Sequence, residues 1–205
     1  MIASHNSMSY LKPTKLRMKI LTPWSKCQDL TIQEQLDKGV RYFDIRIRPH
    51  KKGDTYVAHY CHNNIDYGVA NLKDSFGLID EYAAVRTGIK YFTRVTLDVR
   101  EKPDDAEAMS SWFKEYIEKA KEAYHNILFD SIKIFWDWHN DLGPQTVAVT
   151  EKHWSVVDKS WYEYPKTLKG FAEKYNSTFI EEFNKKYSTA DPDKYCLMID
   201  FIEKT

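Results

Sequence analysis

The sequence predicts an α/β protein with parallel strands, and three observations indicate it. Segments with the alternating or apolar pattern of strands recur along the chain, and amphipathic segments with helical spacing separate them. Such connections join parallel strands, so the architecture is either a barrel or an open doubly wound sheet. The 205 residues suffice for one core and lie near the lower size limit of an eight-stranded barrel, so we expect a single domain over residues 1–205.

The elements of the first half follow from capping signals and alternation. Thr31 and Glu34 form a capping-box pattern that opens a short helix, and Gly39 ends it. The strands predicted here cover residues 2–3, 39–48, 55–59 and 91–99, and a helix is predicted over 72–87.

The second half repeats this alternation. Pro103 precedes a segment whose apolar side chains recur at i, i+3 and i+4 from Met109 to Tyr124, which predicts a helix with one face in the core. Strands are predicted over 132–136, 146–150 and 196–202, and helices over 168–175 and 179–186.

The composition excludes several classes of protein. Thirty basic residues balance thirty acidic residues, which argues against a partner made of nucleic acid. The three cysteines are scattered without CxxC spacing, so neither a disulfide framework nor a zinc site is indicated. No apolar run is long enough to cross a bilayer, and the N-terminal segment lacks the pattern of a signal peptide. We expect a soluble monomer and leave its compartment open.

The segment GVRYFDIRIR, residues 39–48, has strand alternation with an unusual polar side. Asp44, Arg46 and Arg48 share one face, opposite Phe43 and the two isoleucines. One interpretation is a sheet with one solvated face. The other is that the polar face points into a site. The basic cluster at 49–52 that follows is interpreted as solvated surface.

Two histidines stand where predicted strands end. His5 follows the first strand and His59 follows the strand that begins at Thr55, with Asp44 and Arg46 on the strand between them. Two imidazoles and a guanidinium suit metal-free cleavage of a phosphodiester, because one imidazole accepts a proton while the other donates one. The alternative is that the histidines are unrelated and that Arg46 pairs with Asp44.

The sequence also resembles a known family. The segments that carry the resemblance are His5-Asn6-Ser7, Gln35-Leu36, Gly39-Val40-Arg41, Phe43-Asp44-Ile45-Arg46 and His59, followed less strongly by residues 95–100, 147–153 and 198–201. In order and spacing they resemble the X domain of the phosphatidylinositol-specific phospholipases C, closest to the bacterial kind. The resemblance implies a distorted, irregular TIM barrel that cleaves phosphatidylinositol to diacylglycerol and a cyclic inositol phosphate.

The resemblance also implies a role for each catalytic residue. His5 would be the general base for the inositol 2-hydroxyl, and His59 the general acid for the leaving diacylglycerol oxygen. Arg46 would bind the phosphate, and Asp44 would support it. Asp200 would orient His5, because closure of a barrel sets the last strand beside the first.

The residues around this centre are implied to bind substrate. They are Asn6, Arg100, Glu151 and an aromatic ring from His153 or Trp154. His62 rivals His59 as the acid, because the family usually has a glycine after its second histidine and Tyr60 stands there in this chain.

Metal dependence follows from the charges. Animal and plant relatives use calcium, which needs several carboxylate oxygens. Asn6 and Asp44 resemble such ligands, but Arg46 and Arg100 stand where further acidic ligands would be needed. We therefore expect no metal and no cofactor.

Two competing functions remain at this point. A glycerophosphodiester phosphodiesterase would show a Glu-x-Asp pair on the second strand, which Asp44-Ile45-Arg46 does not supply. A binding module for inositol phosphates or membranes is the alternative without catalysis. The expected partner is an inositol phospholipid at a membrane surface, and the many Tyr and Trp side chains suit peripheral contact there.

Overall fold

Eight strands form one sheet in the computed structural model of the protein, which describes residues 1–153 and 167–205. The strands are β1 Ile2–Ser4, β2 Val40–Lys52, β3 Thr55–His62, β4 Ile65–Val69, β5 Tyr91–Leu97, β6 Ile127–Ile134, β7 Ala148–Glu151 and β8 Tyr195–Ile199.

Six of these strands run parallel in the order β6-β5-β2-β1-β8-β7. Among the described residues the two outer strands, β6 and β7, do not pair with each other, so the barrel is open at a seam between them. Asp130 of β6 bridges part of this seam, since its Oδ1 accepts hydrogen bonds from the backbone N and Oγ1 of Thr146 at 2.6 and 2.7 Å. The predicted α/β class with a distorted barrel is confirmed.

The β2–β3–β4 hairpin departs from the predicted order. The end of β2 continues past the barrel and pairs with β3, and β3 with β4, both antiparallel. The prediction of a parallel strand ending at His59 is wrong, because Gly53 has φ 62° and turns the chain back along β2. The short strand β4 was not predicted.

Within the part of the chain that the structure describes, four α-helices connect the parallel strands. They are α1 Ile32–Asp37, α2 Phe76–Ala84, α3 Ala106–Ala123 and α4 Leu168–Lys186. The capping box at Thr31 and Glu34 is present, and Met109, Phe113 and Ile117 of α3 are buried. The helix predicted over 72–87 is shorter, and the two predicted near the C-terminus form one continuous α4. No helix in the described ranges is long and apolar enough to span a membrane.

Strand β2 is buried on both faces. Phe43, Ile45 and Ile47 pack into the main core on one side, and Asp44 and Arg46 are buried on the other, inside the barrel. Asp44 and Arg46 of the GVRYFDIRIR segment therefore point into the barrel and not to solvent, whereas Arg48 lies on the hairpin beyond it and is partly exposed.

Candidate active site

A histidine and a carboxylate meet at the carboxyl ends of β1 and β8. These strands are parallel neighbours with Ser4 beside Ile199, so His5 and Asp200 each follow directly after a strand. The Nδ1 of His5 donates to Oδ1 of Asp200 at 2.7 Å, and both residues are buried. The pairing predicted from barrel topology is present in this geometry.

The other nitrogen of His5 faces Arg46. Nη2 of Arg46 donates to His5 Nε2 at 2.8 Å, and its Nε donates to Asp44 Oδ2 at 3.0 Å. Burial, followed by the charges of His153 and Arg46, lowers the pKa of His5 well below its ordinary value. His5 is therefore a neutral imidazole with its proton on Nδ1.

Asp44 is the centre of a buried ionic network. Its Oδ2 accepts from the backbone N of Asn6 at 3.0 Å as well as from Arg46, and its Oδ1 accepts from Arg94 Nε at 2.9 Å. Burial opposes ionisation of Asp44, but the two guanidinium groups hold its pKa well below the usual range. Asp44 therefore links β1, β2 and β5 as an anion.

Arg94 is a site residue that the sequence analysis missed. It lies beside Asp44 in the register of β2 and β5, is almost fully buried, and also donates from Nη1 to Glu151 Oε1 at 2.5 Å. The sequence feature that could have indicated Arg94 is a charged residue in the middle of the predicted strand over 91–99.

Glu151 and His153 extend the network from Arg94 to one face of the His5 ring. His153 Nε2 donates to Glu151 Oε2 at 3.1 Å, and its ring stacks on His5 with centroids 3.8 Å apart and planes 6° apart. Hydrogen bonds from His153 and Arg94, together with the charge of Arg94, lower the pKa of Glu151 against the effect of burial. The stack covers one face of His153. Trp154, the other predicted aromatic contact, lies outside the described residues.

His59 does not join this cluster. Its Nδ1 lies 3.0 and 3.1 Å from the two carboxylate oxygens of Asp66, and its ring stacks on His50. The predicted convergence of His59 with His5 is wrong, because β3 runs antiparallel to β2. His59 is therefore still on the outer hairpin, beside Arg48.

His62 occupies the position that His59 was predicted to hold. Three further residues along the returning strand carry the chain about 10 Å closer to the barrel mouth. The His62 ring lies edge-on to His5 with centroids 5.8 Å apart, and its Nδ1 donates to the carbonyl oxygen of Ser25 at 2.6 Å. Asn63 follows with φ 56°, the left-handed region that favours glycine.

A cavity of about 330 Å³ opens over these side chains. His5, His62, His153, Arg100 and Asp200 contribute to its wall, and Leu21 and Trp24 lie at its rim. The guanidinium carbon of Arg100 lies 5.2 Å from the centroid of the Phe135 ring. Two imidazoles facing one cavity beside a buried arginine can transfer a proton in each direction around a bound phosphate.

The residues present do not fit a calcium ion. Asn6 Oδ1 is buried without a hydrogen-bond partner among the described residues and resembles a ligand atom. Both oxygens of Asp44, however, are taken by guanidinium groups, and Nη1 of Arg46 extends to within 4.0 Å of Asp98 Oδ2. The guanidinium of Arg46 thus occupies the space between the two carboxylates where a cation would bind.

Comparison with known proteins identifies the fold. The phosphatidylinositol-specific phospholipase C of Listeria monocytogenes superposes with a TM-score of 0.62 at 14% identity, covering 100% of this chain and 92% of that chain. A double mutant of the Staphylococcus aureus enzyme gives 0.63 at 14% identity, covering 98% and 84%. The fold of this chain is therefore that of the bacterial phosphatidylinositol-specific phospholipases C.

Sequence comparison is more limited. No family model matches the chain. A stretch of 37 residues is 51% identical to PI-PLC X domain-containing protein 2 of Mus musculus, and this stretch spans 18% of the chain and 11% of the mouse protein. The local match agrees with the resemblance seen in the motifs.

Proposed function

We propose that the protein is a phosphodiesterase that cleaves phosphatidylinositol, or a related inositol phospholipid, to diacylglycerol and a cyclic inositol phosphate. The observation that carries the proposal is the pair His5–Asp200 facing His62 across one cavity, with Arg46 beside His5. The shared fold with enzymes named for this substrate supports the same conclusion.

His5 is the proposed general base. Its neutral Nε2 takes the proton of the inositol 2-hydroxyl, and the oxygen of that hydroxyl forms a bond to phosphorus. Asp200 stabilises the imidazolium that results. In the free protein Nε2 accepts from Arg46, so the incoming phosphate must draw the guanidinium towards itself and release the base.

His62 is the proposed general acid. As the bond from phosphorus to the diacylglycerol oxygen breaks, the proton on Nε2 of His62 passes to that oxygen. The hydrogen bond from Nδ1 to Ser25 fixes the ring so that Nε2 is the nitrogen that exchanges the proton. Burial and the charge of Arg46 lower the pKa of His62, and a bound phosphate anion would offset Arg46 and favour the protonated ring.

Charge stabilisation is assigned to Arg46 without a metal ion. The guanidinium would bind the phosphoryl oxygens as charge grows on them. Asp44, which is itself paired with Arg94, holds it in place, and Arg100 in the cavity wall would bind ring hydroxyls of the inositol. Glu151 does not line this cavity, because its oxygens are paired with Arg94 and His153.

The segment Leu16–Trp24 is the proposed contact with the membrane surface. Leu16 and Ile20 are 77% and 74% exposed, and Trp24 is 56% exposed at the rim of the cavity. Lys15, Arg17 and Lys19 are interspersed with these apolar side chains, a composition suited to an anionic interface.

This surface predicts a difference between two substrates. Trp24→Ala should lower cleavage of phosphatidylinositol in vesicles by about tenfold, while cleavage of a short-chain, monomeric substrate stays within about twofold, because only the former requires interfacial contact. Equal losses on the two substrates would mean that Trp24 acts in the cavity that it borders and not in interfacial contact.

The proposed function is tested by following release of cyclic inositol phosphate in excess chelator. The wild type should be active, His5→Ala and His62→Ala should each lose about 10²–10⁴-fold, and the matched control His59→Ala should retain activity. Activity that needs calcium would refute the metal-free mechanism. Saturable binding of inositol phosphates with no turnover would favour the binding module. Loss in His59→Ala with retention in His62→Ala would restore the first assignment of the acid.

A further inference from the structure

A second cluster of metal-binding side chains lies outside the cavity, on the β2–β3–β4 hairpin. His50, His59 and Asp66 come from three adjacent strands. His50 Nε2 lies 3.1 Å from Asp66 Oδ2, and His59 Nδ1 lies 3.0 Å from Asp66 Oδ1. We propose that these three side chains form a binding site for a divalent transition-metal ion such as zinc.

The spacing of the ligand atoms supports the site. One nitrogen from each histidine and one oxygen of Asp66 all lie within 4.8 Å of one another. Zinc bonded at about 2.0–2.1 Å to nitrogen in a tetrahedral arrangement separates its ligand atoms by about 3.4 Å. The two separations from Asp66 Oδ2, 3.1 Å to His50 Nε2 and 3.1 Å to His59 Nδ1, are already close to that value.

Binding requires one movement that the surroundings permit. The two rings stack with centroids 3.9 Å apart, whereas an imidazole nitrogen binds a metal in the plane of its own ring. At least one ring must therefore turn, and the His50 side chain, which is 42% exposed, has the room. Asp66 stays fixed, because its Oδ1 also accepts from the backbone N of Gly68 at 2.7 Å.

The chemistry of the cluster selects the kind of ion. Two imidazole nitrogens and one carboxylate suit zinc, cobalt, nickel or copper and not calcium or magnesium. The partial exposure of the three side chains leaves a further coordination position to water.

A metal here would fasten the hairpin that carries His62. The backbone oxygen of Asp66 accepts hydrogen bonds from the N and Oγ1 of Thr14, so the same residue also holds the loop that leads to the exposed segment Leu16–Trp24. The proposed site thus lies at the junction of two segments that border the cavity. Its expected effect is on the stability of the hairpin.

The test is zinc binding by the full chain, measured by competition with a chromophoric chelator. The wild type should bind zinc, and His50→Ala and His59→Ala should each weaken the affinity about tenfold or more. His125→Ala removes an exposed histidine outside the cluster and should leave the affinity unchanged. Absence of zinc binding by the wild type, or equal affinity in all four proteins, would overturn the proposal.

A second measurement separates this cluster from the cavity. His5, Cys27 and His62 also lie within bonding reach of one ion. Cobalt bound on the hairpin should give no thiolate-to-cobalt charge-transfer band, and Cys27→Ser should retain zinc affinity. A thiolate band, or loss of affinity in Cys27→Ser alone, would place the ion in the cavity and refute the hairpin site.

A third measurement guards against misfolded variants. Zinc should raise the melting temperature of the wild type and of Cys27→Ser, but not that of His50→Ala. Far-UV circular dichroism without metal checks that each variant is folded, and His50→Gln replaces His50→Ala if the latter is not. A zinc-induced rise of equal size in folded His50 variants would also refute the site.

Discussion

His5 has its protonation state set by three neighbours. Asp200 accepts from one ring nitrogen, Arg46 donates to the other, and His153 covers one face of the ring. A protonated His5 would place a second cation against Arg46 inside a buried site. The neutral ring is therefore the resting form, as a general base requires.

The burial of His5 and His62 predicts an acidic pH optimum for the proposed reaction. Burial lowers the pKa of both His5 and His62 below the ordinary value of about 6.5. His5 must be neutral, so activity falls as pH drops through its pKa. His62 must be protonated, so activity falls as pH rises through its pKa. The ratio kcat/KM measured from about pH 4 to 8 should therefore peak below about 6.5.

Replacement of Asp200 tests the role proposed for His5, and the wild-type pH profile tests the protonation states of both histidines. Asp200→Asn should lower kcat by about 10³–10⁴-fold, because the imidazolium loses its counter-ion and the tautomer its acceptor. A peak of kcat/KM above neutrality in the wild type would show that burial does not govern these two imidazoles.

The hairpin is the element that decides which histidine faces the cavity. Because β3 returns antiparallel to β2, its last residue and not its middle one approaches His5. The backbone N of Asn63 donates to Asp98 Oδ2 at 2.8 Å, which fixes the turn that follows His62. A change in this turn should therefore shift the position of the His62 side chain as well as lower the stability of the fold.

Asn63 provides the test of that turn. Its φ of 56° is costly for a β-branched residue, so Asn63→Val should lower the free energy of unfolding by about 1–2 kcal/mol. Asn63→Gly should change stability by less than about 0.5 kcal/mol, because glycine adopts this conformation freely. Urea denaturation measures both. Equal stabilities for the two variants would mean that the turn relaxes away from positive φ.

At the scale of the whole molecule, the sheet formed by the described residues is a strip with a seam between β6 and β7 and not a closed barrel. Asp130 supplies described polar contacts across it by accepting from Thr146, and its Oδ2 also accepts from the hydroxyl of Tyr42 on β2 at 3.2 Å. This carboxylate is buried, so its loss would leave donors without partners.

The seam predicts where the fold opens first. Asp130→Ala should lower the free energy of unfolding by about 1–3 kcal/mol and speed amide hydrogen exchange over residues 145–148 more than over β5. Asp137→Ala, a change in a solvent-accessible turn, is the matched control. Uniform acceleration across the whole sheet would indicate global destabilisation without a weak seam.

The sequence was sufficient to predict elements and contacts where local signals and strand topology agreed. The capping box at Thr31, the helix containing Phe113 and the pairing of Asp200 with His5 all follow from spacing or from the adjacency of first and last strands. The placement of Asp44 and Arg46 on one face of β2, opposite Phe43 and Ile45, also followed from the alternation, although the sequence alone left open whether that face is solvated.

Other features depend on contacts that a single sequence does not encode locally. The direction of β3 is decided by pairing with the extended end of β2, and β4 contains Gly68, which weakens a strand pattern. Arg94 acquires its role only because the register sets it beside Asp44. The failure of His59 to reach His5 follows directly from the reversed direction of β3.

The contact between His5 and Asp200 joins residues that are 195 positions apart in the chain. During synthesis on the ribosome, β1 to β7 have all been made before Asp200 is added, and β8 must then take its place between β1 and β7. Contacts over such a span form late and slowly. A chain in which β8 has not yet docked between β1 and β7 therefore has a His5 without its carboxylate partner, and the proposed base becomes complete only in this late step of folding.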